Sequence, residues 1–258
     1  MIHWGEAELR VEYDGSAMRL LRGPFLVVEL TWVDALATEP TLVTEDEIEH
    51  SLTTASGRLL QPATINDAGR DSWVLARDHD GAIQVEERLR VRPGPEFALW
   101  SWGTGVNAVI AIGPAHEAGP VLGLRLEQGY LEQADDRPRG AAAVEYRVAP
   151  TGTVLETGER LVTVLGAHWY ASISEFEQRL PQWVLDTQLD DGVTWWADIA
   201  DFGVSVPDGL ELGYFDGQVS VDGPPGRRII EITSARGLSR VPLEWGPQTE
   251  HVLHQQAH

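Results

Sequence analysis

The sequence predicts an all-β protein, a large antiparallel β-sandwich with one or two short helices. Apolar and polar residues alternate with a period of about two far more often than they recur at helical spacing. This alternation is typical of strands that bury one face. Asp-Gly and Gly-Pro pairs interrupt the alternating segments at short intervals. Because such pairs favour tight hairpins and end central strands, we expect antiparallel neighbours.

The alternating segments place strands along the chain, at 7–13, 19–33, 72–78, 82–92 and 143–149. Turns are predicted at six Asp-Gly pairs, since Gly accepts a positive φ and Asp tolerates it. These pairs begin at Asp14, Asp80, Asp191, Asp208, Asp216 and Asp222. Four of them follow residue 190, which predicts that the last quarter of the chain is richest in hairpins.

Helices are expected to be few and short. Ser174 and Glu177 fit a capping box at the start of one helical turn, and Pro181 ends that turn. A similar pair, Thr44 and Glu47, precedes residues that alternate like a strand. Both a helix and a strand therefore remain open for the segment 44–52.

Length and composition are those of an ordinary globular protein, with 258 residues of which 43% are hydrophobic. The simplest organisation is one domain over 1–258, and the loop at 135–140 is the place where a weak boundary could lie. No apolar run reaches the roughly 18 residues that a membrane-spanning helix needs. The N-terminus has no secretory signal pattern, so we expect a cytoplasmic protein.

Charge and residue usage exclude several kinds of function. The formal net charge of -21 repels nucleic acid and anionic membrane surfaces, so neither is an expected partner. The absence of Lys and Cys excludes a Schiff-base lysine and a thiolate nucleophile. The C-terminal HVLHQQAH has helical histidine spacing but no carboxylate beside its first His. We predict no metal site and no cofactor.

The stretch VTWWADIADFGVSVPDG, residues 193–209, is the first candidate site. If it begins as a strand, Trp195 and Trp196 point to opposite faces, and one of them is available to stack on a sugar ring. Asp198 and Asp201, three residues apart, could serve as paired carboxylates of the kind that glycosidases use. The alternative is a core strand that runs into an acidic turn.

The second candidate site is the segment GAHWY. His168 could act as a general acid or base toward a sugar hydroxyl, and Trp169 and Tyr170 beside it could contact carbohydrate. The alternative is a structural, hydrogen-bonded histidine.

A loose resemblance covers 150–258. The resemblance begins at the segment TGERLVTVLGAHWYASISEFEQRLPQW. This segment resembles part of one known domain in four features: a Gly-Glu pair before a strand, a Trp at the end of that strand, a short acidic helical turn and a Leu-Pro-x-Trp motif. That domain is the β-supersandwich, or galactose mutarotase-like fold, found ahead of helical barrels in several glycosidases and polysaccharide lyases. His168, Glu231 and Glu244 do not match the sequence contexts of mutarotase catalytic residues, so the resemblance implies the fold rather than mutarotase activity.

Three functions follow from these observations. The leading interpretation is an accessory or N-terminal β-sandwich of a glycoside hydrolase or polysaccharide lyase type protein, with an oligo- or polysaccharide as ligand. Its partner would be a helical catalytic domain or another chain. The second is a standalone sugar epimerase or lyase-like enzyme that uses His168 and a carboxylate. The third is a structural or protein-interaction domain without a sugar ligand. The sequence leaves open whether the chain is an enzyme, which sugar it binds and its oligomeric state.

Overall fold

The computed structural model describes most of the chain and groups it into two compact units. The described residues are 2–4, 9–13, 17–33, 36–37, 42–43, 47–53, 58–64, 70–76, 81–116, 118–134, 143–198 and 203–246. The first unit comprises Met1–Ser101 and Gly105–Phe176, and the second comprises Trp102–Thr104 and Glu177–His258. The proposed boundary at 135–140 lies outside the described residues, and the prediction of one domain stays a prediction.

The first unit is built almost entirely of strands. They are β1 (Ile2–Trp4), β2 (Leu9–Tyr13), β3 (Ala17–Arg22), β4 (Phe25–Trp32), β5 (Leu36–Ala37), β6 (Leu42–Val43), β7 (Glu47–Thr53), β8 (Arg58–Thr64), β9 (Arg70–Ala76), β10 (Ile83–Gln84), β11 (Arg88–Pro93), β12 (Phe97–Trp102), β13 (Val109–Pro114), β14 (Val121–Gln128), β15 (Glu132–Gln133), β16 (Val144–Arg147), β17 (Val154–Leu155) and β18 (Arg160–Tyr170), followed by the helix α1 (Ile173–Glu177).

Two large antiparallel sheets face each other in the first unit. One has the strand order β1-β2-β3-β4-β11-β16-β15, and the other has the order β12-β13-β14-β18-β9-β8-β7-β5 with β6 beside β7. A single hydrophobic core joins them, since Val28 and Leu89 of the first sheet cluster with Ile112 and Leu124 of the second. This arrangement is a β-sandwich, as the alternating sequence pattern predicts.

The second unit contains two smaller sheets. Its elements are α2 (Gln182–Leu185), β19 (Gln188–Leu189), β20 (Trp195–Asp198), β21 (Gly203–Ser205), β22 (Glu211–Phe215), β23 (Gln218–Asp222), β24 (Gly226–Ser234) and β25 (Gly237–Trp245). One sheet has the order β19-β25-β24-β21 and the other the order β20-β23-β22. Apolar side chains of both sheets are buried, among them Trp195, Val221, Ile230 and Leu243.

The predicted fold class is confirmed: the described chain is all-β and antiparallel apart from one short parallel pair, β19 with β25. Turns form at Asp191, Asp208 and Asp216 as predicted, while Asp222 ends β23 and forms no hairpin turn with Gly223. Neither α1 nor α2, the helices in the described part, has the length and apolar character that membrane crossing requires.

The helix α1 begins two residues earlier than the sequence suggests. The backbone N–H of Glu175 donates to Ser172 Oγ at 3.2 Å, and the Glu175 carboxylate accepts from the N–H of Ala171 at 2.7 Å. The predicted capping box of Ser174 and Glu177 is therefore wrong. The equivalent pair that forms is Ser172 and Glu175, two residues earlier in the sequence. At the other open segment, Glu47 begins β7, so a strand forms there; residues 44–46 lie outside the described residues.

Candidate functional site

The three-stranded sheet of the second unit owes its register to a two-residue hairpin. Asp216 has φ 48° and Gly217 has φ 80°, and two successive positive φ values are what a type I′ turn requires. The turn pairs Phe215 with Gln218 and continues to Glu211 opposite Asp222. On the other side of β23, Trp195 pairs with Val221 and Asp198 with Gln218.

This register separates the two adjacent tryptophans, as predicted. Trp195 is 1% exposed and shares its face with buried Val219 and Val221, whereas Trp196 is 46% exposed and shares the opposite face with Ser220. The cause is the period of two in a strand, which sends neighbouring side chains to opposite faces. Of the two, Trp196 is the tryptophan that solvent and ligands can reach.

The outward surface of this sheet, here called the Trp196 face, consists of three cross-strand rows. Its rows are Asp198, Gln218 and Phe215; Trp196, Ser220 and Gly213; and Asp222 with Glu211. The strands are about 4.8 Å apart and same-face residues about 7 Å apart along a strand. The rows therefore span roughly 10 Å by 14 Å, which is the scale of one or two sugar rings.

In the row that contains Trp196, the residues beside the indole have small side chains or none. Gly213 has no side chain, and a Cβ placed there would lie 2.5 Å from Ser220 Oγ. The serine hydroxyl thus leans over the glycine, and any larger residue at 213 would collide with it. The two small residues leave open space next to the aromatic ring, and Phe215, which is 72% exposed, stands in the neighbouring row.

Polar side chains on both sides of Trp196 are held in fixed positions. Gln218 Nε2 donates to Asp198 Oδ1 at 2.8 Å, and the Thr194 hydroxyl donates to Asp222 Oδ1 at 2.5 Å. An ionised carboxylate has about four acceptor positions. Each aspartate can therefore keep its intramolecular bond and still accept hydrogen bonds from a ligand hydroxyl.

One pair in the outer row works against stability. Glu211 and Asp222 lie directly opposite each other on β22 and β23. Like charges at directly opposed positions destabilise a sheet. The row therefore places two carboxylates side by side on the outward surface of the sheet.

The segment GAHWY forms the end of β18, in the first unit, and its side chains divide between the two faces of the sheet. His168 is exposed and lies opposite Gly123, whereas Trp169 lies opposite Leu122, a residue of the core. The Arg22 guanidinium lies over the Trp169 ring, 5.2 Å from its centroid. One face of that indole is thus already used by a cation–π contact.

Tyr170 has a structural partner. Its ring meets Phe176 of α1 edge to face, with centroids 5.0 Å apart. A Cβ at Gly123 would collide with the Phe176 ring and lie 2.7 Å from Tyr170 Cε2. The two aromatic rings therefore fill the space above Gly123.

A carboxylate that sequence reasoning missed lies on the same face as His168. A Cβ at Gly166 would be 2.6 Å from Glu127 Oε1, so the Glu127 side chain rests over Gly166. Residues 166 and 168 point the same way along β18. The sequence signal was the isolated glycine inside an apolar strand, which indicates close approach by another group.

A cavity of about 370 Å³ lies on the four-stranded sheet of the second unit. Ser205, Val206, Pro207, Ile229, Glu231 and Arg240 line it. Its two charged groups engage each other, with Arg240 Nε 3.3 Å from Glu231 Oε1.

Two earlier candidates carry less weight. Asp201 lies outside the described residues, as does the terminal HVLHQQAH segment. Within the described part of the chain, no group of three or more His, Asp or Glu side chains is arranged to hold a metal ion.

Comparisons with known proteins identify a fold likeness and no family. No protein-family profile matches the sequence, and no curated protein sequence matches it. Among solved structures, a polysaccharide lyase superimposes with a TM-score of 0.59 at 10% identity, over 96% of this chain and 47% of the lyase. The chain thus spans about half the length of that protein.

A second structure, a family 81 glycoside hydrolase from Clostridium thermocellum, gives a TM-score of 0.37 at 8% identity, over 92% of this chain and 33% of the hydrolase. That score is too low to support an argument. The lyase likeness establishes a shared fold at low identity and leaves the ligand of this chain to be argued from its own residues.

Proposed function

We propose that this chain is an accessory carbohydrate-binding β-sandwich of the glycoside hydrolase or polysaccharide lyase type, and that the Trp196 face contacts the sugar. One observation carries the proposal: the Trp196 indole is half-exposed, and its cross-strand neighbours Ser220 and Gly213 are small enough to leave its ring accessible. A pyranose presents C–H groups on its faces, which pack on an aromatic ring, and hydroxyl groups at its edge.

The polar residues of the face can accept hydrogen bonds from the hydroxyl groups at the edge of such a ring. Asp198 and Asp222 are each oriented by a neighbouring donor, Gln218 and Thr194 respectively. Groups fixed before binding lose less entropy on binding than mobile ones. A sugar stacked on Trp196 would therefore meet preorganised hydrogen-bond acceptors about 7 Å along the strand from the indole.

The proposal extends to the whole fold. We assign the chain to the galactose mutarotase-like supersandwich. The resemblance in sequence lies over 150–258, whereas the two large sheets lie in the first unit, and the likeness to about half of a polysaccharide lyase supports a shared β fold. An accessory sandwich of this kind would work beside a helical catalytic domain or a partner chain.

A second candidate function rests on a specific observation in the first unit. His168 is exposed, and the Glu127 carboxylate lies over Gly166 on the same face. A histidine and a carboxylate are the groups that acid–base chemistry on a sugar hydroxyl uses. Against this candidate, Trp169 lies on the opposite face of β18, and Arg22 occupies one face of its ring.

The test is binding of a panel of soluble oligosaccharides by calorimetry, with alanine variants at three aromatic positions. Trp196→Ala is expected to weaken binding by about tenfold or more, since stacking contributes about 0.5–1.5 kcal/mol beyond the buried area. Tyr214→Ala is the matched control: Tyr214 is 64% exposed but pairs with inward-facing Val219 on the same hairpin.

Trp169→Ala and His168→Ala separate the two candidate sites. Unchanged affinity in both variants, together with the loss in Trp196→Ala, supports the Trp196 face. If Trp196→Ala binds as tightly as the wild-type protein while His168→Ala does not, the sugar site belongs to the first unit and the proposal fails.

A further inference from the structure

We infer that the Trp196 face selects glycans by charge, excluding polyanionic chains and binding amino sugars with free ammonium groups more tightly than neutral sugars. The inference rests on the proposed function, because it names the ligand class of the same face.

The segment that builds the face is free of positive charge. Between Arg179 and Arg227 the sequence has no Arg, Lys or His, and it carries nine carboxylates. All of α2, β19, β20, β21, β22 and β23 lie in this interval. Recognition of a uronic acid or a sulfated sugar commonly uses a bidentate arginine, and these elements offer none.

Three of the nine carboxylates lie in the rows of the face itself. Asp198 follows Trp196 by two residues on β20, and Asp222 and Glu211 form the next row on β23 and β22. A sugar stacked on Trp196 would have these carboxylates on both sides, at about 7 Å along the strands. The Debye length at 0.1 M salt is about 10 Å, so salt screens these contacts only in part.

The charges act in opposite directions on different glycans. A carboxylate or sulfate group on the ligand meets three like charges, whereas an ammonium group meets three opposite charges and an indole face that attracts cations. A neutral sugar gains stacking on the indole and hydrogen bonds but no attraction between net charges. The order of affinity should therefore run from amino sugar to neutral sugar to uronate.

Two arginines of the second unit, Arg227 and Arg240, lie on its four-stranded sheet. Arg240 bonds to Glu231 on the four-stranded sheet, and Arg227 lies opposite Glu244 on that sheet. Neither residue lies in a cross-strand row with Trp196. The overall charge of -21 adds a long-range field of the same sign.

The experiment uses three oligosaccharides of equal length: a fully deacetylated chitosan oligomer, the N-acetylated chitin oligomer and an oligogalacturonate. Binding is measured by calorimetry at mildly acidic pH, where amines are protonated and carboxylates are ionised, at low and at moderate salt. We expect the chitosan oligomer to bind about tenfold tighter than the chitin oligomer. Salt should reduce this ratio, and the oligogalacturonate should show no Trp196-dependent binding.

The neutralising variant is Asp198→Asn, Asp222→Asn and Glu211→Gln, which keeps the side-chain shapes and an acceptor oxygen for Gln218 and Thr194. It should bring the chitosan and chitin affinities within about twofold of each other. The matched control removes three charges outside the rows, at Asp190, Asp208 and Glu244, and should keep most of the difference between the two oligomers.

The possible results separate the inference from the proposed function. Trp196-dependent binding that is equal for all three oligomers, or strongest for oligogalacturonate, overturns the charge selection and leaves the sugar-binding role intact. An equal loss of discrimination in the control variant also overturns it, since the face would then have no special part. If no oligomer shows Trp196-dependent binding, the proposed function itself fails.

Discussion

The adjacent residues Trp195 and Trp196 should differ sharply in their contribution to stability. Trp195 is 1% exposed and Trp196 is 46% exposed. Replacing a buried large aromatic by Ala costs about 3–5 kcal/mol, through lost burial and the cavity that remains. On an outward strand position the same replacement costs about 1 kcal/mol, the span of the β-propensity scale.

Thermal and urea unfolding followed by circular dichroism measure this difference. For a domain of 150–250 residues, 1 kcal/mol shifts Tm by about 2–4 °C. We therefore expect Trp195→Ala to lower Tm by about 10 °C and Trp196→Ala by about 3 °C. Comparable losses in the two variants would show that Trp196 is not on an outward face.

A third variant tests the environment of the Trp195 indole. Its Nε1 is buried and has no hydrogen-bond partner among the described residues. An unsatisfied buried donor costs about 1–3 kcal/mol. Trp195→Phe removes the donor while keeping an aromatic ring, so it should cost much less than Trp195→Ala. A Trp195→Phe variant as unstable as Trp195→Ala would contradict the view that loss of this N–H is favourable.

Three further predictions concern the first unit. Gly123→Ala should destabilise by about 1–3 kcal/mol in urea unfolding, because the new methyl group overlaps the Phe176 ring; a neutral effect would contradict this packing. Ser172→Ala should lower the free energy of unfolding by about 1 kcal/mol and Ser174→Ala should hardly change it, since Ser172 caps α1. The opposite order would show that Ser174 is the N-cap, as the sequence predicts. Hydrogen bonding from Arg90 lowers the pKa of Glu145, so its stabilisation is present above the ordinary Glu pKa and is lost as pH falls through the lowered value. Glu145→Gln should thus lower stability by about 0.5–1 kcal/mol at neutral pH and by progressively less in acid; a difference that does not depend on pH would refute the assignment.

Local pattern was sufficient to predict the fold class and the orientation of the two tryptophans. Both depend on the period of two, which the sequence displays directly. The hairpin at Asp216 and Gly217 was also predictable, because that dipeptide determines its own turn type. Counting back from this turn already places Gly213 opposite Ser220.

The composition of the Trp196 face was not predictable from local pattern. It requires β20 to pair with β23, and Trp196 lies more than twenty residues before Ser220. No local rule specifies which of several strands becomes the neighbour, since tertiary packing decides it. Only the structure therefore shows that the site includes Phe215, Gln218 and Glu211.

Two glycines on the outward face of the nine-stranded sheet mark places where another side chain packs against the strand. Gly123 and Gly166 interrupt otherwise apolar strands, where glycine weakens a strand unless another group needs the space. Phe176 and Tyr170 occupy the space at Gly123, and Glu127 occupies the space at Gly166. Filling the space above Gly123 also explains the helix cap. A helix that begins at Ile173, after Ser172, carries Phe176 onto Gly123 within its first turn. The capping box at Ser172 and Glu175 thus occurs together with packing of Phe176 against a glycine more than forty residues earlier in the chain.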